Sequence, residues 1–414
     1  MKRNMRYCGP RKLAGERLED RWVLAGNVTA AVVGGELRIR GDNADNQILI
    51  QDDAVNFIVT GVGTMINSGP GPALIPRASV TGDIDIEMRR GADSVDIALN
   101  EAPAHNVEVD TAQGNDFVFV HNGSINKLEI ETGDDNDGVR IASVSILGKT
   151  EVETGKGNDD VQADNVTFTG DVEVETGDGD DNVLFRSGET SGDVIEALAD
   201  LEIETGKGND DVNLINTNIV GNLEIETGKD VDRVGIGTAL LAGLFTPFPA
   251  AEAGPVTVDG DTEVETGDGN DEVRVLDSTL GDGAEDETEF ETGDGEDFLE
   301  IVGSGAVPMT INGKLEIELG DGNDRGRISG TNLNGDLEFE AGKGNDQVGL
   351  RFNIVMGDVD IELGKGDDTL KFFTNLVSGD FRADGGPGTD TVDNRGGSVI
   401  GGVTDLDNFE IFVI

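Results

Sequence analysis

The segment LEIETGKGNDDVNL at 201–214 returns with small changes as VEVETGDGDDNVLF at 172–185, TEVETGDGNDEVRV at 262–275 and LEFEAGKGNDQVGL at 337–350. The last Asp of each Gly-x-Gly-x-Asp-like turn serves as a ruler: Asp93, Asp116, Asp137, Asp159, Asp181, Asp210, Asp232, Asp271, Asp297, Asp324, Asp346, Asp368 and Asp390. The commonest gap is 22 residues, and longer gaps read as loops expelled from a regular coil. LRIRGDNADNQILI at 37–50 places Asp45 in a similar setting, as the start of the series, so about fourteen coils are expected. Words recurring at a fixed period of this size fold as stacked copies of one unit.

Within a unit, LEIE and VEVE alternate apolar and acidic residues, the period-2 mark of a strand with one buried face. Leu201 and Ile203 should point inward, Glu202 and Glu204 outward. TGKGND breaks the strand, because glycine supplies turn conformations and Asn and Asp favour turns. A second strand follows, with Val212 and Leu214 inward. Pieces such as INTNIVGN at 215–222 fit a corner, a very short third strand and another turn. The expected fold is all-β: a parallel β-helix or β-solenoid with a modal 22-residue repeat, whose coil is either two-sided or three-sided. Separate β-sandwiches would not keep one phase.

Two stretches interrupt the phase, TMINSGPGPALIPRAS at 64–79 and TALLAGLFTPFPAAEAGP at 238–255, and read as inserted loops on a single solenoid domain spanning 27–414. The first 26 residues are basic and differ from everything after them, and they lack the apolar stretch of a conventional signal peptide. RLEDRWVLAG at 17–26 resembles the short N-terminal targeting motif of secreted and surface proteins of planctomycete bacteria, which implies export; the alternative is a helical cap on the solenoid. The apolar, alternating end DLDNFEIFVI either closes the last coil or pairs with another molecule, which would join rods end to end.

The 84 acidic against 30 basic side chains give a net charge of −54, which disfavours nucleic acid as a partner and favours cations or basic surfaces. Disorder or a solubilising acidic surface would give scattered carboxylates, whereas these recur at fixed positions. Cys8 is the only cysteine, so neither an internal disulfide nor a cysteine zinc site is available. No apolar run is long enough for a membrane-spanning helix.

Stacked aspartates one strand spacing apart repel by roughly 1 kcal/mol per pair in water and more when partly buried. A cation between turns would reverse the sign. Calcium suits carboxylate and carbonyl oxygens in variable number, while soft metals would want more than His105 and His121.

GGPGTDTVD at 385–393 matches the nonapeptide G-G-x-G-x-D-x-U-x of the RTX family of secreted calcium-binding β-rolls, and TGKGNDDVQ at 154–162 departs from it only at Thr154. The chain resembles that family through nine in-phase Gly-x-Gly-x-Asp cores. The resemblance implies calcium held between coils by Asp159, Asp181, Asp210, Asp271, Asp297, Asp324, Asp346, Asp368 and Asp390 with turn carbonyls. RTX arrays repeat the nonapeptide in tandem; one turn per 22 residues implies a single calcium row. Arg89, Ala112, Asp135 and Asp230 stand where the intact core has Gly, which points to weaker or empty sites. Lys156, Lys207, Lys343 and Lys365 lie inside intact turns and offer neutralisation without metal.

The expected function is that of a non-enzymatic, secreted or cell-surface, calcium-binding structural or adhesive repeat protein, whose further partner is a surface or matrix polysaccharide or protein. The alternative is a polysaccharide-binding or polysaccharide-degrading β-helix, a scaffold on which carboxylates can do acid–base work. An active site should interrupt the repeat, and the nearest irregularities, His105, His121 and Arg140, read as turn or surface residues.

Overall fold

The computed structural model describes residues 26–187, 199–238, 254–304, 309–394 and 396–413, together with the backbone of 195–197. Segment 1–25 and most of the 238–255 insert lie outside the described residues. Among those described there is no α-helix; the chain is strand and turn, with one 3-10 turn at Arg77–Ser79.

Three strand stacks build the solenoid. The LEIE-type strands form a 17-stranded sheet, parallel throughout the repeat region. Its register follows the repeat: Leu201 faces Leu223, and Ile203 faces Ile225. The strands after the acidic turn form the second side, as in Asp211–Ile215 paired with Arg233–Ile236. The third side consists of two- or three-residue strands such as Thr217–Ile219 against Thr257–Val258. The expected parallel β-solenoid is therefore the observed architecture, and its strands form three stacks.

Period-2 alternation sets the core. Ile203, Ile225, Val264, Phe290, Ile317 and Phe339 are buried and lie in successive coils, while the intervening glutamates face outward. Each coil alone would expose its apolar face; stacking supplies the missing wall.

The first coils depart from this pattern. Asn27–Val33 pairs antiparallel with Glu36–Arg40, and Gln47–Asp52, Asn56–Gly61 and Ala73–Pro76 form a second antiparallel set. The 64–79 stretch is thus laid on its own scaffold, with Ile66 and Ile75 joining the core.

The turn between first and second sides is tight because coils meet there backbone to backbone. Gly344 sits at φ +142°, and a Cβ on it would fall within the carbonyl group of Gly322 one coil below. Four turns carry a side chain where the intact turn has Gly, yet keep the left-handed backbone: Arg89 (φ 95°), Ala112 (70°), Asp135 (87°) and Asp230 (83°).

Candidate functional site: the aspartate column

The Gly-x-Gly-x-Asp turn ends by sending its last side chain inward. All thirteen aspartates of the ruler series are buried, with at most 4% of their surface exposed. In each, Oδ1 accepts the backbone N–H of the equivalent residue in the preceding coil: Asp137 donates to Asp159 (2.7 Å), Asp159 to Asp181 (2.8 Å) and Asp181 to Asp210 (2.7 Å). The same bond joins Asp271 to Asp297, Asp297 to Asp324, Asp324 to Asp346, Asp346 to Asp368 and Asp368 to Asp390. Glu410 closes the series by accepting from the Asp390 N–H at 2.7 Å.

The other oxygen, Oδ2, is buried without a hydrogen-bond partner in all thirteen. Loss of water therefore pushes these carboxyls up, to about 7 for Asp137 and Asp346, about 8 for Asp210 and about 6 for Asp181 and Asp368, against an ordinary 3.8. The accepted backbone N–H opposes that rise, and like-charged neighbours in the column add to it. In the earlier coils a buried threonine five residues upstream lies beside the carboxyl and also lowers it, as Thr154 does for Asp159. That hydroxyl has one proton, which points to the Thr176 carbonyl at 3.3 Å.

A second ladder runs in the opposite sense on the exposed side of the turn. Asp180 N–H donates to Asn158 Oδ1 (3.2 Å), Asn209 to Asp180 (3.0 Å) and Asp367 to Asn345 (2.8 Å). Asp45 belongs to this outer ladder, since its Oδ1 accepts from Ala92 N–H at 3.0 Å. The expectation that Asp45 begins the inner series is corrected: Asn46 N–H, bonded to Asp93 Oδ1 at 2.7 Å, takes that step, because the second-side register pairs Gln47 with Ser94.

One expectation about charge also changes. Lys156, Lys207 and Lys343 do not neutralise the buried column; they pair on the surface with Asp134, Asp178 and Asp321, one coil earlier at the same turn position. The turn carbonyls are partly engaged already: Gly155 O accepts from Asp178 N–H (3.0 Å) and Asp178 O from Gly157 N–H (2.9 Å). Among the described residues no three His, Cys, Asp or Glu side chains converge as a metal cluster. What each turn offers a hard cation is one orphaned carboxylate oxygen plus the second lone pairs of carbonyls. The turns at Asp93, Asp116, Asp137 and Asp232 have the same bonds as the intact ones, so losing a glycine has not removed their step from the ladder.

The paired glutamates form two outward columns in register, with Glu173 beside Glu202 and Glu175 beside Glu204. Partial burial and mutual repulsion raise Glu175 and Glu226. The irregular residues are partnered. His105 Nδ1 lies 2.8 Å from Gly82 O, His121 Nε2 lies 2.9 Å from Asp96, and Arg140 pairs with Asp164 at 2.8 Å.

No family model, curated protein or solved structure matches the chain.

Proposed function

We propose that this chain is a non-enzymatic, secreted or cell-surface solenoid with a structural or adhesive role, and that calcium binds along its aspartate turns. The observation supporting this is the column of thirteen stacked, buried Oδ2 atoms without a hydrogen-bond donor. A buried carboxylate oxygen in that position demands a proton or a cation. Calcium is the hard cation whose flexible shell of six to eight oxygens suits single carboxylate oxygens and backbone carbonyls.

Asp159, Asp181, Asp210, Asp271, Asp297, Asp324, Asp346, Asp368 and Asp390 would hold it, with carbonyls of the adjacent turns and the equivalent aspartates of the altered turns as further donors. Bound calcium would supply the positive charge the column lacks. Because the donors align only when coils are stacked, binding favours the folded rod and ties its stability to calcium. The repeated carboxylates serve the ladders, which favours a scaffold over an enzyme.

The test is a calcium titration of the full chain, followed by far-ultraviolet circular dichroism and melting temperature, with magnesium as control. Melting temperature rising by several degrees at about 10⁻⁴ to 10⁻³ M calcium, the range of extracellular modules, and not with magnesium, is expected. An unchanged melt in calcium and in chelator overturns calcium binding and leaves the column to protons.

A further inference from the structure

On a chain of net charge −54, one stretch of the second side is basic. A surface groove of about 260 Å³ opens there, lined by Arg325, Arg327, Arg351 and Lys371 and bordered by the rings of Phe298 and Phe373. The four cations are exposed and come from three successive coils. Arg327 is shared with Glu300 at 2.7 Å, while Arg325 and Lys371 make no ion pair with a described residue.

The groove floor is Gly349. In register, it separates Arg327 from Lys371 in the column of outward side chains. Its backbone needs no glycine: it is not left-handed, and a Cβ would meet nothing closer than the Gly326 carbonyl oxygen at 3.9 Å. Gly326, one coil away, is different, because a side chain there would strike the Phe339 ring in the core. A mid-strand glycine that packing does not require weakens the strand and marks a place where something approaches the backbone. At the adjoining corner Phe352 is 53% exposed with the Arg351 guanidinium 4.7 Å above its ring, and its left-handed φ of 58° is the corner conformation that Asn216, Asp277 and Thr374 hold in other coils.

We propose that this groove binds an acidic saccharide, with carboxylate or sulfate groups on the arginines and lysine and sugar rings against the phenylalanines. Arginine forks match these oxyanions in two-bond geometry. Arg327 and Lys371 are two coil steps apart, roughly 10 Å, so they suit separate anionic groups on an extended ligand better than one phosphate. The surrounding carboxylate columns repel a long polyanion such as nucleic acid, and the groove's size fits a short ligand segment. This site is independent of calcium, so it stands or falls apart from the scaffold reading.

The test is calorimetric titration of the full chain in EDTA with trigalacturonate, maltotriose and sodium sulfate. EDTA excludes attachment bridged by calcium between two acidic surfaces. Binding of trigalacturonate that weakens with salt, absence of maltotriose binding, and at least tenfold loss in both Gly349→Leu and the double variant Arg325→Ala/Lys371→Ala support the proposal. Circular dichroism confirms that the variants are folded; the double variant changes only exposed side chains and carries the test if Gly349→Leu misfolds. No binding in EDTA, equal binding of maltotriose, or affinity unchanged in the double variant overturns it. Sulfate binding as tightly as trigalacturonate also overturns it, in favour of a free-oxyanion site.

Discussion

The backbone N–H of Asp232 donates to Oδ1 of Asp271 at 2.8 Å, although 39 residues separate them, and the same bond from Asp210 to Asp232 spans 22. The ladder is therefore set by coil stacking and not by chain distance, and an expelled loop leaves it intact. Each aspartate serves the coil before it while the outer Asn and Asp ladder serves the coil after it, so every turn is tied in both directions. That arrangement leaves one carboxylate oxygen per coil dry and unpartnered.

Stability should consequently depend on pH in a direction opposite to the usual acidic protein. Burial raises all the carboxyls of the column, eleven of the thirteen to about 6 to 8 from 3.8, so the folded chain binds protons more tightly than the unfolded one. Their stabilising contribution is fully present below pH 3.8 and is lost as pH rises through 6 to 8. In EDTA, melting temperature should fall from pH 5.5 to pH 8.5. Calcium should restore it at pH 8.5 and do little at pH 5.5. Melts across this range with and without calcium check the sign; metal-free stability that rises through the window contradicts it.

Two substitutions at Asp210 separate its two oxygens. Asp210→Asn retains the acceptor for the Asp181 N–H and removes the buried charge, so in EDTA at pH 8.5 it should stabilise the chain and reduce the calcium response. Asp210→Ala strands that N–H, which costs about 1 to 3 kcal/mol. Denaturant unfolding of both variants distinguishes a column limited by charge from one limited by hydrogen bonding; equal destabilisation by both would contradict the role given to Oδ2.

The altered turns are places where stability can be gained. Ala112 holds φ 70° where the intact turn has glycine. A left-handed non-glycine residue costs about 1 to 2 kcal/mol, against about 0.5 to 1 kcal/mol of added chain entropy for glycine in the unfolded state. Ala112→Gly should therefore stabilise by up to about 1.5 kcal/mol. Asp230→Gly should do at least as well above pH 7, because it also removes a charge that raises Asp232. Urea midpoints of the two variants measure the effect.

Much of this architecture was legible because its determinants are periodic. Alternation in LEIE announced the buried face, and the 22-residue phase announced parallel stacking. The turn's inward direction was not legible: Asp159 and Asn158 are both polar turn residues, and only coil-to-coil register shows that one is buried and the other exposed. The same applies to Lys156, whose partner Asp134 is one coil away. The basic groove is hidden in the linear sequence because NDRGRISG and VGLRF share no visible pattern until outward positions are aligned across coils. Aligning the second strands by phase would have put Arg327, Gly349 and Lys371 in one column.

Glycine has two unlike roles in this chain, and paired substitutions should expose the contrast. At Gly344 the left-handed φ and the Gly322 carbonyl together leave no room for a methyl group. Neither obstacle can move cheaply, since both belong to the backbone that carries the Asp324 to Asp346 bond. Gly344→Ala should destabilise by about 2 kcal/mol or more. Gly349 faces open groove in an ordinary extended strand, so Gly349→Ala should be neutral or stabilise by about 0.5 to 1 kcal/mol. Denaturant unfolding of the two variants side by side provides the measurement. Equal destabilisation would mean that Gly349 is a packing residue, and its place at the floor of the basic groove would then need no ligand to explain it.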